Sequence, residues 1–211
     1  MNAEPEHSLV LTTDYRVPDP TRVWPLLQRR RDGLAALGAH HVFVYNSTTD
    51  PERVLVTIAL DTRDPVAELL RSRAFFEWFD AVGVEDLPAV FAGELIERFD
   101  FVEAPAAGPP GIVIGGMMVV DDATAFRAHV RETRDLFLQA GIRRVWIFEA
   151  FDDPHEVMFL HELSDDDSAG NWLRRPDIAS EWFSSAGVGA YPPLFVGRLA
   201  HTMRIGGKAD T

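Results

Sequence analysis

Alternation and helical spacing divide the chain into two stretches that read alike. In the first, a period-two strand pattern over Leu9–Val17 stops at Asp19-Pro20, an N-cap followed by proline at the first helical position. The helix opened there runs to Gly38, placed as a left-handed C-terminal stop. Strands over Val42–Tyr45 and Val54–Leu60 flank a turn at Asp50-Pro51. A second helix runs from Asp64-Pro65 to Gly83, and a last strand contains Phe91–Phe99. The second stretch repeats this order. It has a strand over Ile112–Val120, a helix capped by Asp122 and ended by Gly141, and strands over Val145–Phe148 and Val157–Leu163 around Asp153-Pro154. A helix follows the run Ser164-Asp165-Asp166-Asp167 and ends at Gly187, and a strand covers Phe195–Ile205. Pro176 is expected to break that helix, with Asp177 capping its restart. Each stretch is a βαββαβ unit of the ferredoxin-like type.

The likeness extends to residue identities. An offset of 103 superposes Asp19 on Asp122, Arg31-Asp32 on Arg134-Asp135, Gly38 on Gly141 and Asp50-Pro51 on Asp153-Pro154. One inserted residue moves the offset to 104, which superposes Glu77-Trp78-Phe79 on Glu181-Trp182-Phe183 and Phe91-Ala92-Gly93 on Phe195-Val196-Gly197. The expected organisation is a first repeat over residues 7–102, a Pro/Gly/Ala-rich linker over 103–111 and a second repeat over 112–205.

A four-stranded sheet with both helices on one face leaves its other face bare. Here both strand faces are apolar: Val42 and Val44 alternate with Phe43 and Tyr45, and Val145 and Ile147 with Trp146 and Phe148. The economical arrangement is an α+β fold in which the two antiparallel sheets pack face to face as one eight-stranded barrel about a pseudo-twofold axis. The doubled βαββαβ order, with the repeated Glu-Trp-Phe and Phe-x-Gly-x-Leu segments, resembles the tandem, fused form of the dimeric α/β-barrel superfamily. That superfamily includes cofactor-free monooxygenases of polyketide quinones, muconolactone-type isomerases, haem enzymes of the chlorite-dismutase and dye-peroxidase types, and ligand-sensing or structural members. The resemblance implies a fold and a ligand cavity, not one reaction.

Composition narrows the partners. Acidic residues outnumber basic ones 33 to 20, so a nucleic-acid backbone or an anionic membrane is a poor partner. Cysteine is absent, which removes disulfides and thiolate chemistry. The acidic start lacks the pattern of a signal peptide, and the expected location is the cytoplasm. No phosphate-binding glycine motif and no Gly-x-Ser-x-Gly elbow occurs. No metal-ligand spacing occurs either, because adjacent strand residues such as His40-His41 and His161-Glu162 should face opposite ways. No metal or other cofactor is called for. The barrel needs no second chain to cover its sheets, although the helical faces leave a homodimer open.

Chemistry-bearing candidates come from positions where one copy turns polar. Ile58 corresponds to His161, Ala59 to Glu162, Glu94 to Arg198, Glu97 to His201 and Leu26 to His129, so the second half is expected to hold the chemistry. Val54, Val56, Ile58 and Leu60 read as the helix-packed face. Their counterparts place His161 under the helices, with Glu162 and Met158 on the other side beside Trp146 and Phe148, and with Tyr45 and Phe43 from the first copy. A Glu in an aromatic cavity has a raised pKa and can move a proton, helped by His201 or Arg198. The plainer reading is a structural salt bridge from Glu162 to Arg198 or Arg204. Trp78, Trp182 and the neighbouring Phe75, Phe76, Phe79 and Phe183 read as core, and Gly93 and Gly197 as bulges.

Two functions follow as expectations. One is a cofactor-independent oxygenase or isomerase of a hydrophobic, aromatic or polyketide-like molecule. Its ligand would rest on Tyr45, Phe43, Trp146, Phe148 and Met158, and Glu162, His201 and Arg198 would do the chemistry. The other is a non-catalytic module with a filled barrel.

Overall fold

The computed structural model describes residues 9–84, 86–102, 109–165, 168, 176–188 and 193–205. The first repeat contains β1 (Leu9–Arg16), a 3-10 turn (Pro20–Arg22), α1 (Val23–Arg29), α2 (Arg31–Ala36), β2 (Ala39–Ser47), β3 (Arg53–Leu60), α3 (Asp64–Leu70), α4 (Arg73–Val82) and β4 (Ala89–Asp100). The second contains β5 (Ile112–Val119), α5 (Ala123–Glu132), α6 (Arg134–Gln139), β6 (Ile142–Ala150), β7 (Glu156–Leu163), α7 (Pro176–Ser185) and β8 (Phe195–Arg204). The strands close into one ring of hydrogen-bonded neighbours, β1-β3-β2-β8-β5-β7-β6-β4. This is the doubled ferredoxin-like order that the sequence pattern predicts. By compactness the chain divides into one unit comprising Met1–Ala92 with Leu199–Thr211 and another comprising Gly93–Arg198.

Local chemistry explains the element ends. The Asp19 carboxylate accepts from the Thr21 N–H, and that of Asp122 accepts from the N–H groups of Thr124 and Ala125. These bonds to the ionised form hold the Asp122 carboxyl below its usual range. Gly38, Gly83, Gly141 and Gly187 all have φ between 76° and 85°, a conformation that disfavours any residue with a Cβ.

Several expectations are corrected. The helix following each N-cap is two helices, broken at Arg30 and at Thr133. These residues share one backbone conformation, with φ −97° and ψ 13° in one and φ −96° and ψ 19° in the other. Pro176 is the first residue of α7, where its missing N–H has no partner to lose, and Asp177 lies inside the first turn rather than capping it; the expected break itself falls on residues 169–175, outside the described residues. The bulges sit elsewhere. Register shifts occur between Ala39 and His41, between Ile142 and Arg144, and between Leu95 and Glu97, while the β5–β8 register runs unbroken through Gly197. The first two fall at equivalent places, so they belong to the repeat. The first also overturns the expected separation of His40 and His41, whose Nδ1 atoms lie 3.0 Å apart.

In the second unit, the space between sheet and helices is filled by rings. Phe126, Phe137, Phe159, Trp182 and Phe183 are buried together with Ile114, Val145, Ile147 and Val196. His161 belongs to this layer, as expected, with its ring 4.6 Å from Phe159 and 5.3 Å from Phe137. Burial depresses its pKa to about 3. The folded protein therefore needs this imidazole neutral, whereas the unfolded chain protonates it near pH 6.5. That contribution to stability is complete above pH 6.5 and declines as pH falls toward 3, by at most about 1.4 kcal/mol per pH unit. Urea denaturation of His161→Leu across pH 7 to 4 is expected to lose part of the acid-side slope; an unchanged slope would show that His161 does not titrate in this way.

Candidate functional site

Three positions that hold rings in the second unit hold smaller aliphatic side chains in the first. Val56 stands where the second copy has Phe159, Leu34 where it has Phe137, and Ile58 where it has His161. A half-open cavity of about 430 Å³ lies there, with Arg30, Gly33 and Ala74 exposed at its rim. Its floor is Leu11 and Thr13 of β1 with Val56 and Ile58 of β3. Its walls are Leu27 of α1, Arg30 at the α1–α2 break, Leu34 of α2, Leu69 of α3, and Phe75 and Trp78 of α4. Small-molecule sites commonly occupy about 300–1,000 Å³, whereas close-packed interiors keep few voids larger than a water molecule.

The register shows that the difference is built into paired positions. Thr13 faces Val56 across β1 and β3, and Gly116 faces Phe159 across β5 and β7. A Cβ on Gly116 would come within 2.7 Å of the Phe159 ring. The second copy therefore couples a glycine to a ring, and the first couples a threonine to a valine that leaves the space above it open.

The cavity's polar groups are few. Arg30 supplies the one charged side chain among the described lining residues, Thr13 a hydroxyl and Trp78 an indole N–H. Behind them lies Tyr15, 3 % exposed, its ring 5.6 Å from Phe79. Burial pushes the Tyr15 phenol well above its ordinary pKa; Trp78 opposes this shift without reaching hydrogen-bond geometry at the buried hydroxyl.

A second polar feature lies in the second unit. The bulge at Arg143 sets Arg144 opposite Glu162, and Arg144 Nε donates to Glu162 Oε2 at 2.7 Å. Both residues are 6 % exposed. Asp100 lies 3.8 Å from the same guanidinium nitrogen, and the Trp146 ring lies 5.2 Å below the guanidinium carbon. The salt-bridge reading of Glu162 thus needs a correction of partner, to Arg144. Alternation alone could not find it, because the bulge decides which arginine faces the glutamate.

The remaining sequence candidates are dispersed. Trp146, Phe148 and Met158 share a sheet face with Glu162, through the pairs Phe148–Met158 and Arg144–Glu162. Arg198 is opposite Ile112 whereas Glu162 is opposite Val113, so Arg198 stands on the other face, exposed. His201 is exposed and stacks on Trp24, centroids 4.7 Å apart. Tyr45 is buried, and Phe43 stacks on His41 at 5.8 Å. None of these eight residues lines the cavity. Trp182 is core as expected, but Trp78 borders the cavity and Phe76 is exposed. Sequence did carry a signal for the cavity: smaller residues at helix-facing positions of one copy.

No family model matches the chain, and no curated protein matches it. Solved structures do. An anthrone oxidase-like protein is 12 % identical with a TM-score of 0.68, and the match covers 96 % of this chain and 95 % of that one. A protein of Lactobacillus acidophilus assigned as a monooxygenase is 13 % identical with a TM-score of 0.55, covering 95 % and 98 %. The fold is the dimeric α/β barrel, in tandem form. A haem-degrading enzyme from Listeria monocytogenes shares it at 9 % identity and a TM-score of 0.50, covering 90 % of this chain and 98 % of that one. The described lining of the first-repeat cleft contains no His, Cys, Met or Tyr that could ligate iron, and His161 is packed against the Phe137 and Phe159 rings.

Losing one partner of a buried ion pair costs about 3–5 kcal/mol, while replacing both by apolar residues is often near neutral. Urea denaturation should therefore find Glu162→Leu destabilised by about 3 kcal/mol, and Arg144→Met/Glu162→Leu less so than either single variant. Additive losses would mean that the pair is not coupled.

Proposed function

We propose that this barrel protein binds a small, flat hydrophobic molecule in the first-repeat cavity and oxidises it with molecular oxygen, without a cofactor. One observation carries the binding half: at equivalent positions one repeat is filled by Phe137, Phe159 and His161, while the other holds Leu34, Val56 and Ile58 around about 430 Å³ of space. The lining is apolar apart from three groups, which suits a hydrophobic body with one polar end. The oxidative half is supported by the fold shared with proteins named for anthrone oxidation and monooxygenation. Such a reaction needs no redox group on the protein when the substrate's own carbanion supplies the electrons. A CH₂ group becomes a carbonyl, one oxygen atom enters the product and the other leaves as water. The cavity's part is to hold the ring system and stabilise the ionised substrate through Arg30. Glu162, tied to Arg144, serves stability in this reading.

The test transplants the second repeat's filling. Thr13→Gly/Leu34→Phe/Val56→Phe is expected to raise the thermal midpoint and to abolish the fluorescence enhancement of N-phenyl-1-naphthylamine that the natural protein gives. Oxygen uptake with 1,8-dihydroxyanthrone should exceed the buffer rate with the natural protein and return to that rate with the filled variant. Probe binding without uptake would leave a binding module; no probe binding by the natural protein would end the reading.

A further inference from the structure

The duplication also exposes which hydrogen bonds the first repeat lacks. In the second unit the indole of Trp182 donates to Thr133 Oγ1 at 2.8 Å, and that hydroxyl in turn donates to the His129 carbonyl at 2.7 Å. Thr133 occupies the break between α5 and α6. Its counterpart at the α1–α2 break is Arg30, in the same backbone conformation, and the counterpart of Trp182 is Trp78. Arginine has no lone pair to offer an indole N–H. The exchange of threonine for arginine thus deletes the acceptor and adds a cation at the same point of the fold. Both Arg30 and Trp78 border the cavity. Among the described residues Arg30, exposed at the cavity rim, has no carboxylate partner, and the Trp78 indole has the buried Tyr15 hydroxyl as a neighbour without full hydrogen-bond geometry.

Resting on the cavity reading above, we infer that the first-repeat site selects ligands carrying an anionic oxygen, a carboxylate or an ionised phenol, held between the Arg30 guanidinium and the Trp78 N–H, with the apolar body between sheet and helices. The ligand supplies the acceptor that Thr133 supplies in the other repeat. Hydrogen bonds with a charged partner are about twice as strong as neutral ones, and the guanidinium matches a carboxylate in two-pronged geometry. A neutral isostere forgoes that ion contact, and the exposed guanidinium stays with water.

The experiment compares 2-naphthoate with 2-naphthamide, equal in shape and different in charge, by titration calorimetry at pH 7.5. The expected result is naphthoate bound at least tenfold more tightly. In Arg30→Met naphthoate should fall to the level of the amide, whose own affinity stays within twofold; Arg30→Lys should restore part of the difference, and Trp78→Phe should lose part of it. Equal binding of the two probes by the natural protein, or a naphthoate preference untouched by Arg30→Met, would overturn the inference. If the two bind equally and Thr13→Gly/Leu34→Phe/Val56→Phe abolishes both, the cavity stands and the anion preference falls. If neither binds, both fall.

Discussion

Everything in this molecule turns on how the gap between a sheet and its helices is filled. An interior must reach close-packed density, and a βαββαβ unit leaves a slot whose width is set by backbone geometry. The two repeats keep that backbone, down to the helix breaks at Arg30 and Thr133 and the four glycines with positive φ. They fill the slot differently. Both keep a tryptophan and a phenylalanine on the last helix, but one adds Phe137, Phe159 and His161, while the other holds Leu34, Val56 and Ile58 at those places and leaves space. With the backbone held constant, the difference in side-chain volume becomes interpretable as a site.

Paired positions make the difference coherent. Phe159 is accommodated because Gly116 stands across from it, and Val56 sits across from Thr13. The same logic governs polar groups. Thr133 answers Trp182 in the filled repeat, and Arg30 replaces that answer in the hollow one. Elsewhere, buried charge is matched within the second unit: Arg144 meets Glu162 and has Asp100 near. Burial of that pair is tolerable because each charge has its opposite in hydrogen-bond contact.

Much of this was legible in the chain. Strand ends are met within one to three residues, the closed strand order follows from the doubled pattern, and the helix-facing alternation of β3 and β7 correctly puts His161 beneath the helices. What escaped has physical causes. The bulge residues His40 and Arg143 shift which side chains face one another, and no periodicity announces such an insertion, so the Arg144–Glu162 pair was hidden. Polar substitutions in the second copy are the conspicuous asymmetry in the chain, because unpaired buried polarity is costly. In the second unit Glu162 is satisfied by its own neighbour and His161 is packed among rings. The informative asymmetry was one of volume, in the smaller residues Leu34, Val56 and Ile58.

The most direct measurement of the central claim is a crystal structure determined under xenon pressure. Xenon should enter the space bordered by Leu34, Val56, Phe75 and Trp78 in the first repeat, and none should appear at the equivalent place beside Phe137, Phe159 and Trp182. A first repeat whose α4 rings have closed onto β3, with no xenon between helices and sheet, would contradict the account.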